Sequence, residues 1–173
     1  NANDGLDPSR PMASLRALLE RYNLNAGDIV YVDTGVYNLT TNIPITIDDA
    51  GVTIQGPTLA GHDAVLNRAN TAAGSYVLDL QNATDVAIRN LNLTGATYGI
   101  YTNTTGSGSD RLTIADNEIY ANTTDGIYLS SISDNAVITG NRIYGNTSYG
   151  INASGPAARI EATDVYNNSS GII

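Results

Sequence analysis

The chain has 173 residues, a formal net charge of −9, and no Cys, Lys, Phe or Trp. This length fits one domain, and the lack of Cys excludes disulfides and thiolate metal sites. The acidic balance, without clustered basic residues, excludes nucleic acid binding, and no apolar run approaches the ~20 residues of a membrane span, so membrane insertion is not expected.

The first predicted element is a short amphipathic helix. Residues 1–11 lack a periodic pattern and are predicted to form a loop. Five apolar residues then share one helical face: Met12, Leu15, Leu18, Leu19 and Tyr22. A helix ahead of a repeat array typically covers the apolar end of its core. We therefore predict an N-terminal segment with a capping α-helix over residues 1–27, followed by a repeat domain over 28–173.

Short strand-like segments begin after residue 27. They are rich in β-branched residues and are bounded by turn-forming Gly, Asn and Asp, as strands usually are. The predicted strands are Ile29–Val32, Ile43–Ile47, Gly51–Ile54, Ala64–Leu66 and Tyr76–Leu80.

From residue 86 the sequence repeats itself four times. Each repeat contains an apolar strand, a turn, a second apolar stretch and a Gly-Ile pair. The first anchors are spaced 26, 24 and 22 residues apart: Ile88, Ile114, Ile138 and Ile160. This spacing is typical of solenoid coils, and the remaining length corresponds to about six of them. In a parallel β-solenoid, equivalent residues of successive coils stack about 4.8 Å apart.

The opening of the repeat domain resembles a known superfold. The phrases Gly27–Val32, Gly35–Tyr37 and Gly51–Gly56 are similar to the start of pectate-lyase-like proteins, whose coils are PbH1-type repeats. The resemblance implies an all-β fold: a right-handed, single-stranded parallel β-helix of about six coils with an N-terminal capping α-helix. It leaves function open, because the superfold includes lyases, hydrolases, esterases, epimerases, phage tailspikes and surface stalks.

One motif indicates a catalytic site. Residues 122–127, Asn-Thr-Thr-Asp-Gly-Ile, look like the Asn-Thr-Asp-Gly motif of polygalacturonases, and this resemblance makes Asp125 a candidate catalytic residue. In that family the Asp belongs to a carboxylate cluster that protonates the leaving oxygen and activates water. The corresponding positions on the following coils are Ser148-Tyr149 and Ser169-Ser170. Because one carboxylate cannot perform this reaction, we favour a turn role for Asp125.

His62 is the second candidate catalytic residue. It is the only histidine and, with Asp63, lies in the irregular loop 57–63, where an acid–base pair and an ordinary loop position are both open. Calcium is the one cofactor that the acidic residues suggest, at Asp48-Asp49 or at Asp110 with Asp116. Neither spacing matches a calcium loop, so we predict no metal site.

Several stacked polar positions are predicted to face outwards or to line the turns. A strip for sugar rings, or simply a covered strand surface, is expected from Tyr120, Tyr144 and Tyr166. A second group surrounds the Gly-Ile turns: Tyr98, Tyr101, Tyr128 and Tyr149. An asparagine ladder is expected from Asn117 and Asn141, and a ladder of alternating charge from Asn92, Glu118, Arg142 and Asp164.

The favoured function is a non-catalytic structural or adhesion segment of a larger secreted or cell-surface protein. The alternatives are a polysaccharide-active lyase, glycoside hydrolase or epimerase, and a carbohydrate-binding module that uses the tyrosine strip. The expected partner is a polysaccharide or cell-surface glycan. Because the sequence stops directly after a Gly-Ile anchor, we also expect truncation of a longer protein and end-to-end self-association.

Overall fold

The fold is a parallel β-solenoid. The structure, a computed structural model, describes residues 3–173, so the first two residues of the predicted loop lie outside the described residues. Three parallel sheets run along the axis, and each contains six strands. Every coil contributes one strand to each sheet, which confirms the predicted solenoid of about six coils.

Across residues 3–173, eighteen strands build the three sheets. In chain order they are β1 (Ile29–Tyr31), β2 (Gly35–Asn38), β3 (Ile43–Thr46), β4 (Thr53–Gln55), β5 (Ala64–Asn67), β6 (Tyr76–Gln81), β7 (Ala87–Arg89), β8 (Asn92–Thr94), β9 (Tyr98–Thr102), β10 (Thr113–Ala115), β11 (Glu118–Tyr120), β12 (Ile127–Leu129), β13 (Val137–Thr139), β14 (Arg142–Tyr144), β15 (Tyr149–Ala153), β16 (Arg159–Glu161), β17 (Asp164–Tyr166) and β18 (Ser170–Ile172). Sheet A contains β1, β4, β7, β10, β13 and β16; sheet B contains β2, β5, β8, β11, β14 and β17; sheet C contains β3, β6, β9, β12, β15 and β18.

The predicted capping helix is α1 (Leu15–Arg21). It begins later than the periodicity indicates because Ser14 is its N-cap, with Oγ accepting a 3.2 Å hydrogen bond from the Ala17 N–H. Leu19 is buried in the core, and the helix packs against β3. A single 3₁₀ turn, Ile47–Asp49, follows β3. Within residues 3–173, no helix has the length and apolarity needed to cross a membrane.

Among the early strands, β2 and β4 differ most from the sequence prediction, and the others differ by one residue at one end. Strand β2 was not predicted, because its four residues begin with Gly35 and end with Asn38, both of turn-forming types. Strand β4 begins at Thr53 rather than Gly51, because Gly51 has φ of 78° and its N–H donates to Thr84 O in the next coil. Gly51 is therefore a turn residue, and a left-handed φ of this kind favours glycine.

The core is a column of stacked aliphatic side chains. The predicted anchors pair in register from coil to coil: Ile88, Ile114, Ile138 and Ile160 in sheet A, and Leu93, Ile119, Ile143 and Val165 in sheet B. The isoleucines of the Gly-Ile pairs stack likewise in sheet C: Ile100, Ile127, Ile151 and Ile172. Truncating one buried isoleucine to Ala typically destabilises a protein by about 2–5 kcal/mol.

The corners between sheets A and B share one backbone device. In the last four coils, the residue that directly follows the sheet A strand has φ between 44° and 67°. These residues are Asn90, Asp116, Gly140 and Ala162. This left-handed residue turns the chain from sheet A to sheet B, and the following residue faces inwards. Asn, Asp and Gly tolerate this region, whereas Ala does so at a cost.

Candidate functional site

Asparagine ladders lock the corners and thereby fix the outer faces. At the corner between sheets A and B, the Asn117 N–H and Nδ2 donate to Asn141 Oδ1 at 2.9 and 3.0 Å. Asn117 Oδ1 in turn accepts from the Leu91 N–H at 3.0 Å. Both asparagines are buried, with 2 % and 1 % of their surfaces exposed. The ladder expected from Asn117 and Asn141 is therefore present.

A second ladder, which the sequence analysis missed, lies at the corner between sheets B and C. Asn146 Oδ1 accepts from the Asn122 N–H and Nδ2, both at 3.0 Å, and Asn168 Oδ1 accepts from the Asn146 N–H at 2.9 Å. These residues each stand two positions after a stacked tyrosine. That constant spacing is the signal that could have identified them.

Next to this corner, sheet B carries the predicted tyrosine strip. We call Tyr120, Tyr144 and Tyr166 the sheet B tyrosine column. Neighbouring rings are 5.3 and 5.1 Å apart between centroids and lie within 10° of parallel. Tyr166, with 37 % of its surface exposed, is the most open of the three. The predicted stacking is confirmed, whereas a ligand for the column stays a prediction.

Charged groups surround the column. Arg142 lies between Glu118 and Asp164 in register, as the predicted charge ladder requires. Its guanidinium donates to Glu118 Oε1 at 3.0 Å and to the Tyr166 hydroxyl at 2.9 Å, so the tyrosine takes the place expected for Asp164. The guanidinium carbon also lies 5.7 Å from the centroid of the Tyr144 ring. The sheet B column therefore has a cation of its own.

Tyr144 is held in its protonated form. Burial and the hydrogen bond from its hydroxyl to Glu118 Oε1, at 2.9 Å, raise the pKa of Tyr144 to about 12. Burial and the charge of Glu118 also raise the pKa of Tyr120. The Tyr166 hydroxyl, together with Glu118, raises the pKa of Arg142, so this side chain stays charged.

A second aromatic group covers sheet C. We call Tyr76, Tyr98, Tyr101 and Tyr128 the sheet C tyrosine cluster. Tyr101 stacks between Tyr76, 4.1 Å away between centroids, and Tyr128, 5.3 Å away. Tyr98 packs at 5.4 to 5.6 Å from all three rings, at interplanar angles of 49° to 63°. The repeat pattern predicted Tyr149 as a member of this group, whereas Tyr76 takes that place in the structure.

Carboxylates accompany the sheet C cluster. Asp79 is the register neighbour of Tyr101 and is half-buried, and burial raises the pKa of its carboxyl group. Burial, and then the neighbouring Tyr101 and Asp79, raise the pKa of Tyr76 to about 12. Burial and the nearby Asp125 likewise raise the pKa of Tyr98.

The candidate catalytic residue Asp125 lies beneath this cluster. Only 2 % of its surface is exposed. Its Oδ1 accepts from the Tyr149 N–H at 3.0 Å and its Oδ2 from Asn152 Nδ2 at 3.2 Å, which ties its coil to the next one. These two contacts occupy both carboxylate oxygens with structural hydrogen bonds. A catalytic role for Asp125 stays a prediction that this geometry does not favour.

His62 belongs to neither tyrosine group. It lies exposed in the loop between β4 and β5, and its Nδ1 is 3.2 Å from Thr34 Oγ1 in the preceding coil. The structure therefore places His62 on an inter-coil contact, while Asp125 lies in β12's turn two coils further along. The two candidate catalytic residues are not brought together into one site.

No metal centre can be assigned from the side chains. Across residues 3–173, no three His, Cys, Asp or Glu side chains converge as a metal ion would require. The calcium positions considered above have other partners: Asp49 Oδ2 accepts from the Thr46 N–H at 2.7 Å, and Asp110 Oδ1 accepts from the Asp134 N–H at 2.8 Å. These oxygens close turns and link coils.

Comparison with known proteins supplies a family. A family model described as "Periplasmic copper-binding protein (NosD)" matches residues 26–173, a range that includes all eighteen strands. Together with the parallel coils, this match confirms the resemblance to β-helix proteins with PbH1-type repeats. No curated protein and no solved structure matches the chain.

Proposed function

The chain belongs to the NosD family, and we propose that it is a non-catalytic β-helix module of a cell-envelope or secreted protein, serving as a rigid scaffold or adhesion segment. The observation that carries this proposal is the position of Asp125. The one acid within a motif that resembles a catalytic sequence holds two coils together through both of its oxygens. The family's description as periplasmic supports the location.

The corners support a scaffold role because their asparagine ladders join the last four coils to one another. In each ladder, a buried asparagine satisfies backbone and side-chain groups of two neighbouring coils. Each such bond is worth about 0.5–1.5 kcal/mol, and leaving one of these buried groups unpaired costs about 1–3 kcal/mol. A column held in this way resists bending and keeps its outer side chains at fixed spacings.

The copper in the family's description does not fit this chain's donor atoms. Copper(I) prefers thiolate and thioether ligands, and copper(II) prefers imidazole nitrogen. The sequence has one histidine, one methionine and no cysteine. Met12 precedes α1 and His62 lies in the loop after β4, and no third soft or imidazole donor accompanies either. We therefore propose that these residues do not form a copper site.

Two assays test the main proposal. We expect no new reducing ends and no newly formed double bond when the protein is incubated with pectic, alginate and neutral polysaccharides, with or without calcium. We also expect equilibrium dialysis to show no stoichiometric copper binding. A product that disappears in Asp125→Asn would contradict the non-catalytic proposal. One copper ion bound per chain would contradict the proposal that the chain has no copper site.

Glycan binding at the sheet B tyrosine column is the second candidate function. The observation that favours it is the regular geometry of the rings, which lie parallel at nearly constant spacing beside hydrogen-bonding groups of Glu118 and Arg142. Sugars combine apolar faces with hydroxyl groups, so an aromatic surface with a polar rim suits them.

Retention on immobilised glycans tests this candidate. Replacing the three residues of the column together with Ser should abolish retention, whereas replacing all three with Phe should preserve most of it, because the rings remain. Equal retention by the Ser variant and the unmodified protein would exclude the column as the glycan site. Equal loss in both variants would show that the hydroxyls, rather than the rings, make the contact.

A further inference from the structure

The sheet C tyrosine cluster is one compact group of four rings. Tyr76, Tyr101 and Tyr128 stack on one another from coil to coil. Tyr98 is nearly equidistant from the three rings and steeply inclined to the two outer ones, so it packs directly against the side of the stack. All four side chains are partly exposed. This arrangement brings the π-systems of four tyrosines onto one small area of surface.

Two carboxylates lie near this area. Asp79 is the register neighbour of Tyr101 in the preceding coil, and its Oδ2 accepts from Gln81 Nε2 at 2.9 Å. The buried carboxylate of Asp125 lies close enough to Tyr98 to raise the pKa of that phenol. None of the strands of sheet C contains Lys or Arg. The nearest guanidinium along the hydrogen-bond network is Arg68, which is buried in the corner and donates to Asn42 Oδ1 and Leu39 O.

The sheet B tyrosine column has a basic side chain, which the strands of sheet C lack. There, Arg142 lies over the face of Tyr144 and neutralises Glu118. A cation over the face of a tyrosine ring is attracted by the π-electrons, more strongly when it is partly desolvated, and an adjacent carboxylate adds to this attraction. The sheet C cluster combines more rings with two carboxylates and has no cation in its strands.

We propose that the sheet C tyrosine cluster, with Asp79 and Asp125, binds an organic cation of the quaternary or substituted ammonium class. The rings supply cation–π contact, and the half-buried Asp79 supplies the carboxylate that can face the ligand. Asp125, whose oxygens are both hydrogen-bonded within the protein, adds negative charge without touching the ligand. The chain's net charge of −9 concentrates such cations near the surface.

Calorimetric titration with choline tests this proposal on the unmodified protein. Dimethylbutanol, the uncharged carbon isostere of choline, has the same shape without the charge. We expect saturable binding of choline and at least about tenfold weaker binding of the isostere, since removal of the charge removes the cation–π and ionic terms. Equal affinities, or no saturable binding of choline, would overturn the proposal.

Variants locate the site. Asp79→Asn keeps the shape of the side chain and should weaken choline binding about fivefold or more, because one ionic contact is lost. Tyr128→Leu should weaken it similarly, whereas the matched variant Tyr144→Leu on sheet B should bind choline as the unmodified protein does. Choline affinity lost in Tyr144→Leu but kept in Tyr128→Leu would overturn the assignment, as would a neutral oligosaccharide that displaces choline.

Discussion

The sheet B tyrosine column and the sheet C tyrosine cluster differ in how their charges are arranged. In the column, Arg142 donates to Glu118 and to the Tyr166 hydroxyl, so charge and aromatic groups satisfy one another. In the cluster, four rings pack together above Asp79 and Asp125 with no basic residue in the same strands. Two aromatic surfaces on one scaffold are thus chemically distinct, and we expect them to have different ligands.

This difference shows how a solenoid assigns separate roles to separate faces. Each coil places one residue into each axial stack, so a substitution affects the composition of a single stack. The core beneath is shared, because both faces are anchored on the same buried aliphatic column. Variants can therefore alter one face while leaving the other intact, or disturb the corner that both depend on.

The corner between the two faces gives the largest expected effect. Asn146→Ala removes the acceptor for the Asn122 N–H and Nδ2 and the donor to Ile119 O. We expect the free energy of unfolding to fall by about 2–4 kcal/mol, because these groups are buried. Urea denaturation measures it. Asn92→Ala, at a half-buried outward position of β8, is the control and should change stability little; an equal loss in both variants would contradict the ladder's role.

Removing the middle ring of the sheet C cluster has the next largest effect. Tyr101→Ala takes away both stacking contacts, with Tyr76 and with Tyr128. We expect a loss of about 1–3 kcal/mol in urea denaturation. Tyr166→Ala, at the exposed end of the column, removes one stacking contact and a solvent-exposed hydrogen bond from Arg142, and it should cost less. A greater loss of stability in Tyr166→Ala than in Tyr101→Ala would contradict the larger contribution expected from the sheet C cluster.

Asp125→Asn tests the inter-coil hydrogen bonds beneath the cluster. The amide keeps one acceptor oxygen but places an NH₂ group against a donor, Asn152 Nδ2 or the Tyr149 N–H. We expect a loss of about 1–2 kcal/mol in thermal or urea unfolding. Unchanged stability would remove the structural explanation for Asp125 and renew the case for a catalytic role.

Alkaline titration separates the causes of the raised tyrosine pKa values. The pKa of both Tyr76 and Tyr144 is about 12 in the folded chain, against an ordinary value near 10. Folding therefore favours the protonated phenols, and the stability they contribute is complete below about pH 10 and is lost as the pH rises through about 12. In phenolate absorbance, Glu118→Gln should lower the pKa of Tyr144 and leave that of Tyr76 unchanged. An equal fall in both pKa values would contradict the claim that the two tyrosine groups are electrostatically separate.

The smallest effect is expected at the exposed ion pair of sheet B. Arg142→Met should leave the unfolding midpoint nearly unchanged, because both side chains are solvated and the pair is screened by salt. Thermal unfolding at low and high ionic strength measures this. A large salt-dependent loss would show that the column depends on its cation for stability.

Much of the fold follows from the repeat. The stacking of Ile88, Ile114 and Ile138, and of Tyr120 on Tyr144, could be predicted because equivalent residues of a parallel solenoid must lie one above the other. The asparagine ladder at Asn117 followed for the same reason. What the repeat could not show is which neighbour a side chain selects, and so Arg142 bonds the Tyr166 hydroxyl rather than Asp164.

The sheet C cluster was harder to predict because it begins in an irregular coil. Tyr76 follows a long corner, residues 68–75, so no constant spacing connects it with Tyr101. Its ring stacks on Tyr101 although its register partner is Tyr98. Register alone therefore misassigns the contact. The second ladder was missed for another reason, since Asn122, Asn146 and Asn168 all occur in Asn-x-Ser/Thr sequences that surface turns also favour.

The most direct test of two independent faces is a carbon-13 NMR titration of tyrosine-labelled protein, first with choline and then with a neutral oligosaccharide. We predict that choline shifts only ring signals assigned to the sheet C cluster, whereas any oligosaccharide that binds shifts only those of the sheet B column. Choline-induced shifts at the column, with none at the cluster, would contradict the account, as would one ligand shifting both sets together.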